Sequence, residues 1–130
     1  VRGFGIKKGA FASSVAHDSH NVIVIGTNEN DMAFACNRLR EISGGFVVCK
    51  GSRVLAELPL PIAGLMSNLP FREVVKRYEH VLRALRRLGC KLSAPLLTMS
   101  FLALPVIPEL KITDKGLVDV REFKIVDVVC

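Results

Sequence analysis

Two apolar stretches, residues 10–16 and 22–27, are separated by a polar turn of only five residues. Small and β-branched residues dominate both stretches, as is typical of buried strands. Parallel strands need a connection of a dozen or more residues, so this short turn predicts an antiparallel hairpin. The uninterrupted apolar run of the second stretch predicts a central, covered position in the sheet.

The turn between these strands consists of His17, Asp18, Ser19, His20 and Asn21, and it holds two of the three histidines. Side chains of Asp, Ser and Asn bond readily to nearby backbone groups, which would make the turn purely structural. Polar groups held between two strands can instead be presented to a ligand or an active site. A metal site is the third interpretation, with His17 and His20 as weak candidate ligands that would need partners from other segments.

Two later segments have the apolar periodicity of helices. We expect a helix over residues 31–43, capped by Asn28 or Asn30 and ended by the glycines at 44–45. A longer helix is predicted over residues 70–88, with Gly89 as its stop. Its Lys- and Arg-rich side should be solvated or meet an acidic partner. Its apolar face is predicted to comprise Phe71, Val74, Val75, Tyr78, Val81, Leu82, Leu85 and Leu88.

The remaining segments predict short strands and one buried helix. Residues 46–50 and 53–58 should form a hairpin around Gly51 and Ser52. Prolines interrupt the apolar residues 59–67, which predicts an ordered connection bordering a site or an interface. Residues 96–104 favour a short buried helix. An edge strand or a bulged ribbon is expected at residues 1–8. Further strands are expected at residues 110–113, 117–120 and 122–129.

Together these elements predict one α+β domain over residues 1–130. We expect two layers, with a largely antiparallel or mixed sheet packed against the two main helices. A chain of 130 residues suits a single core and is too short for a (β/α)₈ barrel. The chain has no initiating Met, so we expect a fragment, a processed product or a trimmed sequence.

Composition and missing motifs limit the classes of function that this chain can have. No apolar run is long enough to span a membrane, and no signal peptide is visible. The four scattered cysteines, Cys36, Cys49, Cys90 and Cys130, predict reduced and mostly buried thiols in a cytoplasmic protein. A net charge of +6 is compatible with nucleic acid, but with one Tyr and no Trp the aromatic stacking surface of a single-strand binder is not evident. Without a phosphate loop or a nucleophile elbow, the chain does not look like a complete enzyme.

The order of short motifs resembles the C-terminal domain of adenine deaminase, an amidohydrolase-superfamily enzyme of purine salvage. The similarity covers nearly the whole chain. The matching segments are KGA at 8–10, ASSVAHDSHN at 12–21, GTN at 26–28, DMA at 31–33, NR at 37–38, GG at 44–45, LAELPLPIAGLMS at 55–67, SFLALPVIPEL at 100–110 and TDKGLVDV at 113–120.

This resemblance implies hydrolysis of adenine to hypoxanthine and ammonia in the complete enzyme. It also implies manganese or iron in a preceding barrel domain, where a metal lowers the pKa of its bound water. The barrel and its His-x-His ligands are absent here, so no catalytic or metal residue of the barrel is carried over. We expect this chain alone to be inactive and to bind no cofactor of its own. Residues 17–21 are expected to lie near the active-site mouth.

The expected partners are a catalytic amidohydrolase domain or subunit and adenine, as the substrate of the complete enzyme. We also expect a homo-oligomer, and we expect neither a membrane nor nucleic acid as a partner. The alternative is a non-catalytic binding or assembly module of the same fold. In that case residues 59–67 and the basic helix would serve a partner subunit.

Overall fold

The computed structural model describes residues 3–128 and contains two antiparallel sheets and three helices. The larger sheet has the order β2-β1-β3-β4 and the smaller has the order β5-β6-β7. The elements in chain order are β1 (Ala10–Ser13), β2 (Ile23–Gly26), α1 (Glu29–Glu41), β3 (Gly45–Lys50), β4 (Arg53–Pro59), α2 (Phe71–Leu88), α3 (Pro95–Ser100), β5 (Leu110–Thr113), β6 (Gly116–Asp119) and β7 (Lys124–Val126).

The two central strands of the larger sheet, β1 and β3, are buried on both faces. Phe11 and Val48 pack against Leu85 of α2 and Met99 of α3. The alternate residues of the same strands, including Ala12 and Val47, pack against Ala35 and Leu39 of α1. Successive side chains of a strand point to opposite faces. Helix α1 therefore packs against one face of the sheet, and α2 packs against the other. The predicted α+β class, an antiparallel sheet packed against two main helices, is confirmed.

The start of α1 is held by a polar cluster that also fixes a β-turn. Asn28 caps the helix, because its Oδ1 accepts a hydrogen bond of 2.8 Å from the backbone N–H of Asp31. The Asn28 amide donates to Asp31 Oδ2 at 2.9 Å, and the backbone N–H of Ser52 donates to Asp31 Oδ1 at 3.2 Å. The hydrogen bond from Asn28, followed by those from the 51–52 backbone, holds the pKa of the buried Asp31 carboxyl below its usual value. The turn between β3 and β4 is thereby tied to α1.

The hairpin predicted around residues 51–52 is present, and a bidentate ion pair ties it to α1. Gly51 and Ser52 both have positive φ, of 57° and 54°, as a tight two-residue hairpin turn requires. The Arg38 guanidinium donates from Nε and Nη2 to the two carboxylate oxygens of Glu57 on β4, each at 2.8 Å. Paired geometry of this kind fixes orientation more firmly than a single surface contact does.

Helix α2 occupies residues 71–88, close to the predicted 70–88, but its apolar face is only partly buried. Val81, Leu85 and Leu88 are fully covered. Phe71 is 80% exposed and Tyr78 is 42% exposed, so their predicted burial is wrong. At 3.6 residues per turn they lie together with Val75 about a quarter turn from the buried stripe. Helix α2 packs mainly against β4, the outermost strand of the larger sheet, so the sheet covers only one of the two sectors. None of the helices in residues 3–128 has the length and apolar character needed to cross a membrane.

Several strand predictions are corrected. Residues 22–27 do not form a central strand, because β2 lies at the sheet edge and pairs only with β1. Residues 3–8 form bends and coil rather than a ribbon, and residues 1–2 lie outside the described part. The last strand spans Lys124–Val126, which is shorter than the predicted 122–129, whose final residue is also outside the described part. Cys36 is exposed, whereas Cys49 and Cys90 are buried as predicted, and Cys130 lies outside the described part.

We predict that Leu85→Ala lowers the free energy of unfolding by about 2 to 5 kcal/mol. Leu85 of α2 is fully buried against the sheet, so its truncation loses apolar burial and leaves a cavity. Urea denaturation measures the loss. The control is Leu97→Ala on α3, where the side chain is 59% exposed and the change should stay within about 0.5 kcal/mol. Equal losses in the two variants would contradict the assigned core.

Candidate functional site

The polar loop of residues 17–21 joins β1 to β2, and backbone hydrogen bonds determine its shape. The N–H of His20 donates to the carbonyl of Ala16 at 2.8 Å, and the N–H of Ser19 donates to the carbonyl of His17 at 3.0 Å. The N–H of His17 reaches the carbonyl of Ser100, at the end of α3, at 2.7 Å. The main chain is therefore fixed both within the loop and against a distant helix.

The His17 side chain rests against the end of α3 but stays 52% exposed, and its neighbours are exposed as well. The His17 ring stacks on Phe101, with ring centroids 5.3 Å apart and an interplanar angle of 24°. Its Nδ1 lies 3.0 Å from Oδ1 of Asp18, whose side chain is 75% exposed. Ser19 and His20 are also exposed, and Asn21 is half-buried. The loop thus presents an acid, a hydroxyl and an imidazole to the outside on a fixed backbone.

Two residues of the loop adopt the left-handed backbone conformation. Asp18 has φ of 66° and His20 has φ of 49°. This region is uncommon for residues other than glycine, although Asp and His enter it more readily than most. Such conformations persist only where the surrounding structure holds them, and they concentrate at functional sites. The backbone therefore has a defined conformation at Asp18 and at His20, on either side of Ser19.

Ser14, at the end of β1, ties the strand that leads into the loop to two other segments. Its Oγ donates to the carbonyl of Gly64 at 2.6 Å and accepts from the buried backbone N–H of Gly45 at 2.7 Å. Gly64 belongs to the proline-interrupted connection, and Gly45 begins β3. The predicted ordered connection is thus anchored at the same end of the sheet as the polar loop.

A cavity of about 930 Å³ begins beside the loop, at Asn21. Its lining also includes residues 22–25, residues 102–103, residues 110–114 and Leu117. Apolar side chains dominate its lining, with Lys111 and Asp114 as the charged members. One end of this cavity therefore lies next to the polar loop.

The candidate metal ligands do not form a recognisable site. In residues 3–128, no group of three or more His, Cys, Asp or Glu residues is arranged so that it could hold a metal ion. His17 approaches Asp18 and Phe101. A zinc-like or manganese-like site needs at least three protein ligands, so the residues present do not fit the metal that the resemblance implies.

Comparison with known proteins identifies the family. The adenine deaminase C-terminal domain family matches residues 1–124. Curated proteins named adenine deaminase are similar: the one from Dehalococcoides mccartyi is 55% identical over 126 residues, covering 97% of this chain. The protein from Moorella thermoacetica is 55% identical over 129 residues, or 99% of this chain, and that from Methylobacterium nodulans is 60% identical over 126 residues, or 96% of it.

The α+β fold is therefore that of a C-terminal domain that is found in longer proteins. The chain belongs to the adenine deaminase C-terminal domain family. It spans 22% of the length of these three curated relatives. The resemblance inferred from the motifs is confirmed.

Sequence reasoning found the loop but missed the residues that hold it. Phe101 lies far along the chain from His17 and has no local signal that pairs the two rings. Ser14 was visible only as part of a run of small residues. The paired glycines at 44–45 were interpreted as a helix stop, although Gly45 also donates its N–H to Ser14. A hydroxyl in an otherwise apolar strand was the one available clue.

We predict that Ser14→Ala lowers the free energy of unfolding by about 1 to 3 kcal/mol. The variant leaves the buried N–H of Gly45 without its partner and frees the carbonyl of Gly64. Chemical denaturation measures the cost, and the exposed Ser93→Ala serves as control. Hydrogen exchange should also increase at Gly45. A variant as stable as the control would show that the Ser14 contacts contribute nothing.

Proposed function

We propose that this chain is the C-terminal domain of an adenine deaminase, and that its loop of residues 17–21 closes over the active site of the catalytic domain. The reaction of that enzyme is the hydrolysis of adenine to hypoxanthine and ammonia. The observation that carries the proposal is the exposed His17-Asp18-Ser19-His20 sequence on a fixed backbone, within a family match that covers residues 1–124.

The chemistry of the loop suits a purine. Adenine offers an amino group that donates hydrogen bonds and ring nitrogens that accept them. In this proposal the Asp18 carboxylate accepts from the substrate, and His20 donates to it. His17 and Asn21 fix the loop, a role that the stacking of His17 on Phe101 supports. Groups held in place before substrate arrives act without a reorganisation cost.

The partners follow from the same proposal. The catalytic domain or subunit contains the manganese or iron, because the described residues of this chain lack a suitable ligand set. The complete enzyme acts in the cytoplasm in purine salvage and forms a homo-oligomer. The alternative of a non-catalytic assembly module rests on the apolar connection and on the groove of about 730 Å³ between β4 and α2, which includes Lys76, Arg83 and Arg87. The relatives, all named adenine deaminase, favour the enzyme part.

We predict that the purified chain alone releases no ammonia from adenine, even with added manganese or iron. The loop supplies polar contacts but no metal site, so it lacks the activated water. Ammonia release is measured beside a full-length adenine deaminase in the same buffer. Turnover by a preparation shown to be free of other deaminases would contradict the prediction.

A second prediction concerns the loop in the complete enzyme. Asp18→Asn and His20→Ala, made in a protein that also carries the catalytic domain, should each lower kcat/KM for adenine at least about tenfold. That loss corresponds to about 1.4 kcal/mol of transition-state stabilisation. The melting temperature should change little, because both side chains are exposed and the loop is shaped by backbone hydrogen bonds.

The matched controls are Asp127→Asn and His80→Ala, which alter the same residue types at exposed positions outside the loop. These controls should retain full turnover. If the loop variants kept full kcat/KM, or lost it only in proportion to unfolding, the loop would be a structural turn.

A further inference from the structure

The free edges of the two sheets face each other across the cavity beside the loop. In the described residues, β2 is the outermost strand of the larger sheet and β5 is the outermost strand of the smaller one. The cavity touches consecutive residues 22–25 of one and 110–113 of the other, and Leu102, Ala103 and Leu117 also line it. Consecutive side chains of a strand point to opposite faces, so a cavity that touches all of them lies along the strand's edge.

The β2 edge lacks the usual protection against pairing. Residues 22–26 contain only Val, Ile and Gly, with neither a charge nor a proline. Natural sheets normally protect exposed edges with charges, prolines, bulges or a covering element. An unprotected strand whose free backbone N–H and C=O groups border an apolar cavity is a place where another strand pairs.

The size of the cavity suits one strand. A strand rises about 3.3 Å per residue, lies about 4.8 Å from its neighbour and fills a layer about 10 Å thick, or about 160 Å³ per residue. The cavity volume of about 930 Å³ therefore corresponds to about six residues, which spans the four residues each of β2 and β5. A second copy of the domain would have to bring its own sheet into this space, so a single extended segment fits better.

We infer that an extended, apolar segment of about six residues from the same enzyme inserts between β2 and β5 and joins the two sheets. This inference rests on the proposed function, because the segment comes from the part of adenine deaminase outside this chain. The chain spans only 22% of the length of its relatives, so ample polypeptide is available. Phe4, Gly5 and Ile6 share a second cavity with Val24 and neighbouring residues, so residues 4–6 also pass beside β2.

The test is residue-resolved hydrogen exchange on the full-length enzyme. Successive N–H groups of a strand point to opposite edges, so alternate β2 amides exchange fast if its outer edge is free. Insertion predicts slow exchange at every amide of residues 23–26, and at least about tenfold slower exchange at the outward-facing ones than for an open edge. Alternating fast and slow amides in β2 would overturn the inference.

A matched pair of variants isolates the cavity. Ile112→Lys places a charge on β5 inside the cavity, whereas Ile125→Lys places one on β7 of the same sheet, outside it. The two side chains are similarly exposed, at 69% and 61%. Ile112→Lys should restore fast exchange in β2, and Ile125→Lys should not. Equal effects of the two variants would overturn the inference.

Two further outcomes are decisive. Protection of β2 that disappears when the full-length enzyme is diluted to a monomer would assign the cavity to a second copy and overturn the inference. The exchange readout is independent of catalysis. Slow β2 exchange together with full turnover in the Asp18→Asn and His20→Ala variants would support the inserted strand and contradict the proposed role of the loop. Alternating β2 exchange together with lost turnover in those variants would do the opposite.

Discussion

The Ser14 hydroxyl is the contact on which the end of this domain that carries the candidate loop depends. It bridges the buried N–H of Gly45 and the carbonyl of Gly64, and so joins β1, β3 and the proline-interrupted connection at one point. The glycines there are required by close approach. A Cβ on Gly44 would lie 2.6 Å from the Cα of Gly64, and a Cβ on Gly45 would collide with the carbonyl of Leu58. The polar loop begins three residues after Ser14, so its origin is fixed by this packing.

Local patterns predicted most of the fold because the elements here follow local rules. Helical periodicity, the Asn28 cap and the Gly89 stop located α1 and α2 to within two residues. The turn at 51–52 located the β3–β4 hairpin. Burial was predicted less well, because it depends on what lies opposite. Periodicity describes a wide apolar face on α2, but the sheet covers only one sector of it and leaves Phe71 and Tyr78 exposed.

The sequence was enough to predict which residues form the candidate site, but not the contacts that support them. The two histidines and the Asp lie within five residues, so the sequence alone brings them together. The stacking of His17 on Phe101 instead depends on where α3 packs. The same reason explains the error at β2. An apolar run is typical of a central strand, but it is equally suited to an edge that borders an apolar cavity, and only the strand order distinguishes the two.

The distribution of buried residues shows which part of the domain is self-sufficient. Among the described residues, every buried apolar side chain except Val120 lies between Phe4 and Leu104. The three-stranded sheet that follows satisfies its own backbone hydrogen bonds, but it leaves Leu110, Ile112, Phe123 and Ile125 largely exposed. A small sheet gains stability chiefly from an apolar face that is covered. The core of the larger sheet is therefore complete without the smaller sheet, whose apolar residues lie largely at the surface of the described part of the chain.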